Sequence, residues 1–158
     1  MAIKLKKMTV TDFEKYLSFA IKDYAQDKII AGTWNEADAI SLATKSFNEL
    51  LPKGKDTNNE YLYSIEENAL DEKVGFLWVH INKTLQDSKF FIYDFIIFDE
   101  FRNQGYGRQT IACLEEKAKE MDVSQIDLHV FAHNGGAIHL YEKTGFVATD
   151  ISMSKQIN

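Results

Sequence analysis

The 158 residues contain a single cysteine, Cys113, and a single proline, Pro52. A lone thiol cannot close an internal disulfide, which suits a reducing cytoplasm. One proline leaves few rigid linkers, and no repeat or low-complexity tract appears. Apolar runs stop well short of a membrane span. Met1-Ala2-Ile3-Lys4-Leu5 lacks the apolar core of an export signal. Positive charge is also scarce: 18 Lys and Arg stand against 24 Asp and Glu, a formal net charge of −6. That balance disfavours nucleic acid as a partner and draws cations through a long-range field. With 45% hydrophobic and 27% charged residues, the composition predicts one cytoplasmic globular domain with no membrane partner.

Periodicity predicts the elements. Ile3 to Met8 reads as a strand. Thr11 or Asp12 can cap a helix whose inner face carries Phe13, Leu17, Ala20, Ile21 and Tyr24. Asn35 can cap a second helix with a stripe of Ile40, Ala43, Phe47 and Leu51, stopped by Pro52 and Gly54. Strands follow at residues 61–65, 74–81 and 90–98, the last apolar enough to be central and buried. A helix from about Gly107 to Met121 has Ile111, Leu114, Ala118 and Met121 on its inner face, with Cys113 as a small core residue. Then come a strand at 126–131, a helix from Asn134 to Thr144 ended by Gly145, and a last strand from Phe146 to Met153. The order is β-α-α-β-β-β-α-β-α-β, an α+β or mixed α/β fold around one sheet.

The strongest chemical signal is Arg102-Asn103-Gln104-Gly105-Tyr106-Gly107-Arg108, set between a strand and a helix. A helix N-terminus carries unpaired N–H groups and a partial positive charge, so it binds phosphate. Glycines let several amides turn inward, and Arg102 and Arg108 can add charge-assisted contacts. A dinucleotide fingerprint would need a third glycine where Thr110 stands, and the Gly-Lys-Ser/Thr of a P-loop is absent. By itself the turn also fits a plain strand-to-helix connection.

Downstream, His129-Val130-Phe131-Ala132-His133-Asn134 leads into Ala137, Leu140-Tyr141-Glu142-Lys143 and Thr144-Gly145-Phe146. This strand, Asn, helix and Gly-Phe resemble the second motif of the GNAT superfamily of N-acetyltransferases. Arg102 to Gly107 resembles that superfamily's acetyl-CoA motif, in the same order and at the same separation. The resemblance is strong over Val74 to Phe146 and extends to residues 1–60 in element order only. Phe91 to Phe95 and His129 to Asn134 look most like a YycN-like group of bacterial acetyltransferases.

The resemblance implies a GNAT acyl-CoA acyltransferase fold, with one mixed sheet of about six strands flanked by helices. It implies acetyl-CoA as cosubstrate, no metal, and the amine of a small molecule or peptide as acceptor. The central strand would splay from its neighbour and offer the backbone of Phe95, Ile96 and Ile97 to the pantetheine arm. The diphosphate would sit on Asn103, Gln104, Gly105, Tyr106, Gly107 and Arg108. Asn134 matches a pantetheine-bonding position, although it is also a good N-cap. Tyr141 matches the general acid, although its spacing also suits packing.

Acyl transfer needs a neutral amine, a polarised carbonyl and a proton for the departing thiolate. An alkyl amine titrates at about 10.4 in water, so a base or desolvation must supply the neutral form. The base stays open between His129 and Asp94. Phe91 occupies another position where relatives carry Glu, which keeps a non-catalytic acyl-CoA-binding module as the alternative. His129, His133 and His139 lack a neighbouring Cys to complete a metal site. Trp34 can wall the acceptor pocket or anchor a surface. Exposed strand edges leave a homodimer open.

Overall fold

The computed structural model describes residues 2–158. It begins with β1 (Ile3–Lys7), then two helices, α1 (Val10–Ile30) and α2 (Ala39–Leu50). Three strands follow: β2 (Glu60–Glu67), β3 (Glu72–Lys83) and β4 (Ser88–Ile97). The chain continues through α3 (Tyr106–Glu120), β5 (Gln125–Leu128) and α4 (Gly135–Lys143). The strands form one mixed sheet of five in the order β1-β2-β3-β4-β5. All neighbours are antiparallel except β4 and β5, which run parallel.

Helices cover both faces. Tyr16 and Ala20 of α1 and Phe47 of α2 pack on Leu62, Phe76, Trp78 and Ile96. Ile111, Leu114 and Ala118 of α3 pack on Ile65, Leu77, Val79, Phe90 and Ile92. α3 buries the apolar side that its spacing predicts, whereas α1 turns Tyr16 and Ala20 deepest into the core and leaves Phe13, Leu17, Ile21 and Tyr24 partly buried against it; burial of such side chains supplies most of the stability.

The α1 cap lies earlier than its composition suggests. Thr9 is the N-cap, and Thr9 and Asp12 exchange hydrogen bonds as a capping box. Buried Asp12 also accepts from Ser64 and pairs with Lys73. Burial works to raise its carboxyl, but Lys73 and Thr9 outweigh that and hold it below the usual carboxylate value. Asn35 caps a turn instead of α2, accepting from the Asp38 N–H at 3.0 Å. Because α2 starts at Ala39, Ile40 is left outside the stripe and half exposed.

The sheet has one strand fewer than expected. No strand forms over 146–153, and residues 147–158 are all exposed. Among the described residues no backbone hydrogen bond ties 147–158 to a neighbouring strand.

Gly75 is required by a close approach. A Cβ at this position would lie 2.0 Å from the Ile96 carbonyl oxygen. Gly75→Ala should therefore cost about 3 kcal/mol of stability, measured by denaturant unfolding. A variant as stable as the parent would show that β3 and β4 separate easily.

Candidate active site

One extra residue aims β4 at the site. Val79 pairs with Ile92 and Trp78 with Asp94, so Tyr93 is a bulge with no partner. Before the bulge, Phe90 and Ile92 point into the α3 core. Beyond it the even residues face the other way, and Ile96 joins the α1 and α2 core. Asp94 is turned by the same step. The Tyr16 hydroxyl, on α1, donates to its Oδ2 at 2.7 Å.

Beside β4 the sheet opens. Pairing with β5 covers Lys89 to Ile92 and stops at Leu128. The Phe98 N–H donates to the Val74 carbonyl. Strand alternation then turns the backbone of Asp94 and Ile96 toward β3, and that of Phe95 and Ile97 toward the gap. The Ile97 carbonyl, on the gap side, accepts from Arg102 Nε at 3.0 Å. Of the three residues expected to present free backbone, Phe95 and Ile97 face the gap, where the Phe95 amide meets the Asp94 carboxylate and the Ile97 carbonyl is taken by Arg102; Ile96 is committed to Phe76 across the register.

A cavity of about 400 Å³ fills the gap. Asp94, Phe95, His129, Asn134 and Tyr141 all line it, so much of the expected site converges. Burial pushes the Asp94 carboxyl up to about 6. Tyr16 and the Phe95 amide pull it back, while the charges of Asp23 and Asp27 raise it further. Burial, then the charge of Asp94, pushes the Tyr141 hydroxyl up to about 12. Tyr16 rises well above its ordinary value for the same two reasons.

Sequence reasoning missed Tyr16, Asp23 and Asp27, all on α1. Asp27 pairs with His133 at 2.8 Å and ties α1 to the loop after β5. Burial, then Asp27, raises the Asp23 carboxyl. His129 is exposed and edge-on to Phe131. Trp34 packs against Tyr24, with Lys28 over its ring, while Trp78 lines the cavity.

At the other end of β4 lies the glycine turn. Asn103 and Gly105 take left-handed torsions, φ 60° and 87°, and Gly105 is the N-cap of α3. The first amide bonded into the helix is that of Gln109, to the Gly105 carbonyl. Among the described residues, no hydrogen-bond acceptor meets the N–H groups of Asn103 through Arg108. Such a run of free amides at a helix start fits a diphosphate. Arg108 is exposed and outside every ion pair among the described residues. Arg102 instead staples the turn, bonding Ile97 and Asp99. Gln104 folds its side chain onto the Glu100 carbonyl, and the Tyr106 ring is buried, so both offer backbone only. Gly107 lets α4 approach: a Cβ there would lie 2.8 Å from Leu140 Cδ2. Asn134 caps α4, accepting from Ala137 N–H, and still faces the cavity.

The Acetyltransferase (GNAT) family matches residues 20–146. The uncharacterized N-acetyltransferase YycN of Bacillus subtilis (strain 168) is 41% identical over 99% of this chain and 100% of its own. Its crystal structure superposes with a TM-score of 0.95 over 99% of both chains. The uncharacterized N-acetyltransferase YdgE of the same organism is 34% identical over 99% of each chain. Glucosamine-6-phosphate N-acetyltransferase from Arabidopsis thaliana, 21% identical, shares the fold over all of both chains at a TM-score of 0.56. A free-amide turn, a sheet that opens beside it and matches spanning nearly the whole chain converge: this protein belongs to the GNAT acetyltransferase family.

Proposed function

We propose that the protein is an acetyl-CoA-dependent N-acetyltransferase acting on a cationic primary amine of a small molecule or peptide. The observation that carries this reading is one cavity bordered by the open side of β4, with Asp94 and Tyr141 both lining it. Acetyl-CoA supplies the acetyl group as an activated thioester. The Asn103 to Arg108 amides and Arg108 hold the diphosphate. Phe95, Ile97 and the Asn134 side chain hold the arm.

Asp94 is the base. With its carboxyl at about 6, it is ionised near neutrality yet basic enough to take a proton from a bound ammonium. The Phe95 N–H, on the open side and shared with the Asp94 carboxylate, polarises the carbonyl oxygen. Tyr141, at about 12, keeps its proton across the working range and delivers it to the leaving sulfur. Holding amine and thioester together supplies much of the rate. Asp23 and Asp27 make the acceptor end anionic and favour a charged amine. His129 lines the wall and is less suited as base, because it is exposed. The lone thiol of Cys113 suits a cytoplasmic enzyme.

Thiol release from acetyl-CoA with a panel of amines tests the reading. Tyr141→Phe should lower kcat by roughly 10²-fold and leave coenzyme A affinity unchanged. Coenzyme binding with no turnover on any amine would instead favour an acyl-CoA-binding module.

A further inference from the structure

Glu60, the first residue of β2, carries a charge that the acyl-transfer chemistry does not use. Its side chain is 6% exposed and, among the described residues, pairs with no lysine or arginine. Its Oε1 accepts from the Trp78 Nε1–H at 2.9 Å, and its Oε2 meets His80 Nδ1. Trp78 and His80 stand two residues apart on β3, hence on one face, and His80 is the register partner of Glu60. A buried carboxylate is costly even when its oxygens are bonded, and an apolar side chain of like size fills such a space without loss of stability. What the carboxylate adds is direction: two flat rings, each fixed by its own N–H.

Both rings bear on the acceptor end of the cavity. Trp78 lines it together with Phe47, Phe91 and Tyr93, while Glu60 and His80 stand behind that wall. Tyr93, the unpaired bulge residue, is 39% exposed. Three rings hold it: Trp78 at 4.7 Å, Phe91 at 5.0 Å and His80 at 5.9 Å. Burial, then the charge of Glu60, raises the Tyr93 hydroxyl above its ordinary value. An indole has one polar atom, its N–H, and in Trp78 Glu60 takes it. The indole therefore turns hydrocarbon to the cavity, and Phe47 and Phe91 have nothing else to offer.

We propose that Glu60 is a positioning residue for the acceptor: through Trp78 and His80 it fixes an aromatic wall that selects primary amines with an apolar body over hydroxylated ones of the same charge. The proposal rests on the acetyl-transfer reading above. Asp94, Asp23 and Asp27 draw the ammonium group, and the rings receive the carbon skeleton. Apolar surface on both sides then leaves water. A hydroxyl placed against the same rings loses hydrogen bonds to water that the rings do not return.

Initial rates of the full chain with acetyl-CoA compare hexylamine with aminoethoxyethanol, a primary amine of the same chain length. The parent should favour hexylamine by roughly tenfold or more in kcat/KM. Glu60→Leu, which keeps the volume and loses both hydrogen bonds, should erase most of that preference by raising KM for hexylamine roughly tenfold, with KM for acetyl-CoA unchanged. Glu60→Gln, whose Oε1 still accepts from Trp78, should restore much of it. Trp34 and Trp78 are the two tryptophans, so in a Trp34→Phe background the fluorescence anisotropy of Trp78 should fall in Glu60→Leu. Equal rates of the parent on the two amines would overturn the proposal, whether or not the variants fold. So would Glu60→Leu with its selectivity intact, or with both Michaelis constants raised together. A parent that acetylates no amine at all is a different result: it ends the acetyl-transfer reading, and this proposal with it.

Discussion

Asp94→Asn lowers kcat/KM by about 10³-fold and at the same time raises the melting temperature. The first effect follows from loss of the base. The wild-type rate should carry an acid limb with its midpoint at about 6, where Asp94 ionises, and the variant should lack it. The second effect follows from linkage. The folded-state value, about 6, lies above the ordinary 3.8. Asp94 therefore favours the folded state fully below the unfolded value, and this contribution is lost as pH rises through the folded value. At neutral pH the enzyme keeps a desolvated charge that Asn does not have, while Asn Oδ1 can still accept from Tyr16. A two-unit displacement, reduced by solvent at the cavity mouth, corresponds to roughly 1–2 kcal/mol, or ~3–6 °C. The gain should shrink toward about pH 4 and be full above about pH 7. Calorimetry across pH, beside rate profiles, checks both halves. A variant that loses activity and stability together would mean that Asp94 is a structural carboxylate.

Gly105→Val weakens coenzyme A binding by about 10³-fold. Gly105 sits at φ 87°, where a β-branched side chain is strained. Relieving that strain rotates the peptide units on either side, which carry amides offered to the diphosphate. Loss of two charge-assisted hydrogen bonds accounts for roughly 4 kcal/mol. Open space around the position keeps the effect local: the nearest atom to an added Cβ is Gln109 Nε2, at 3.8 Å. Isothermal titration with coenzyme A measures the change. Unaltered affinity would mean that the turn is only a connection between β4 and α3.

The glycine turn is legible in sequence because positive torsions demand particular residues and leave a mark. The bulge at Tyr93 leaves none. Read with unbroken alternation, Asp94 shares the face of Phe90 and Ile92. Only the structure shows that one unpaired residue turns it to α1, where Tyr16 lies 78 positions earlier in the chain. Tyr16, Asp23 and Asp27 escaped notice for a related reason: on α1 they read as a helix surface, and only the packing of α1 against the sheet gives that surface a cavity to face. The motif offers His129 as a base, but pairing between β4 and β5 ends at Leu128 and leaves the residue exposed. The tail shows the opposite limit. Residues 146–153 read as a strand, but none forms there, because a ladder needs a neighbour that the sequence does not supply.

The most direct test follows backbone amide resonances of isotope-labelled protein as coenzyme A is added. Saturable changes should be largest at Asn103 through Arg108, with smaller ones at Phe95 and Ile97. If the coenzyme fails to bind, or binds while the turn's resonances stay in place, the diphosphate is not held there and the acetyl-transfer reading fails with it.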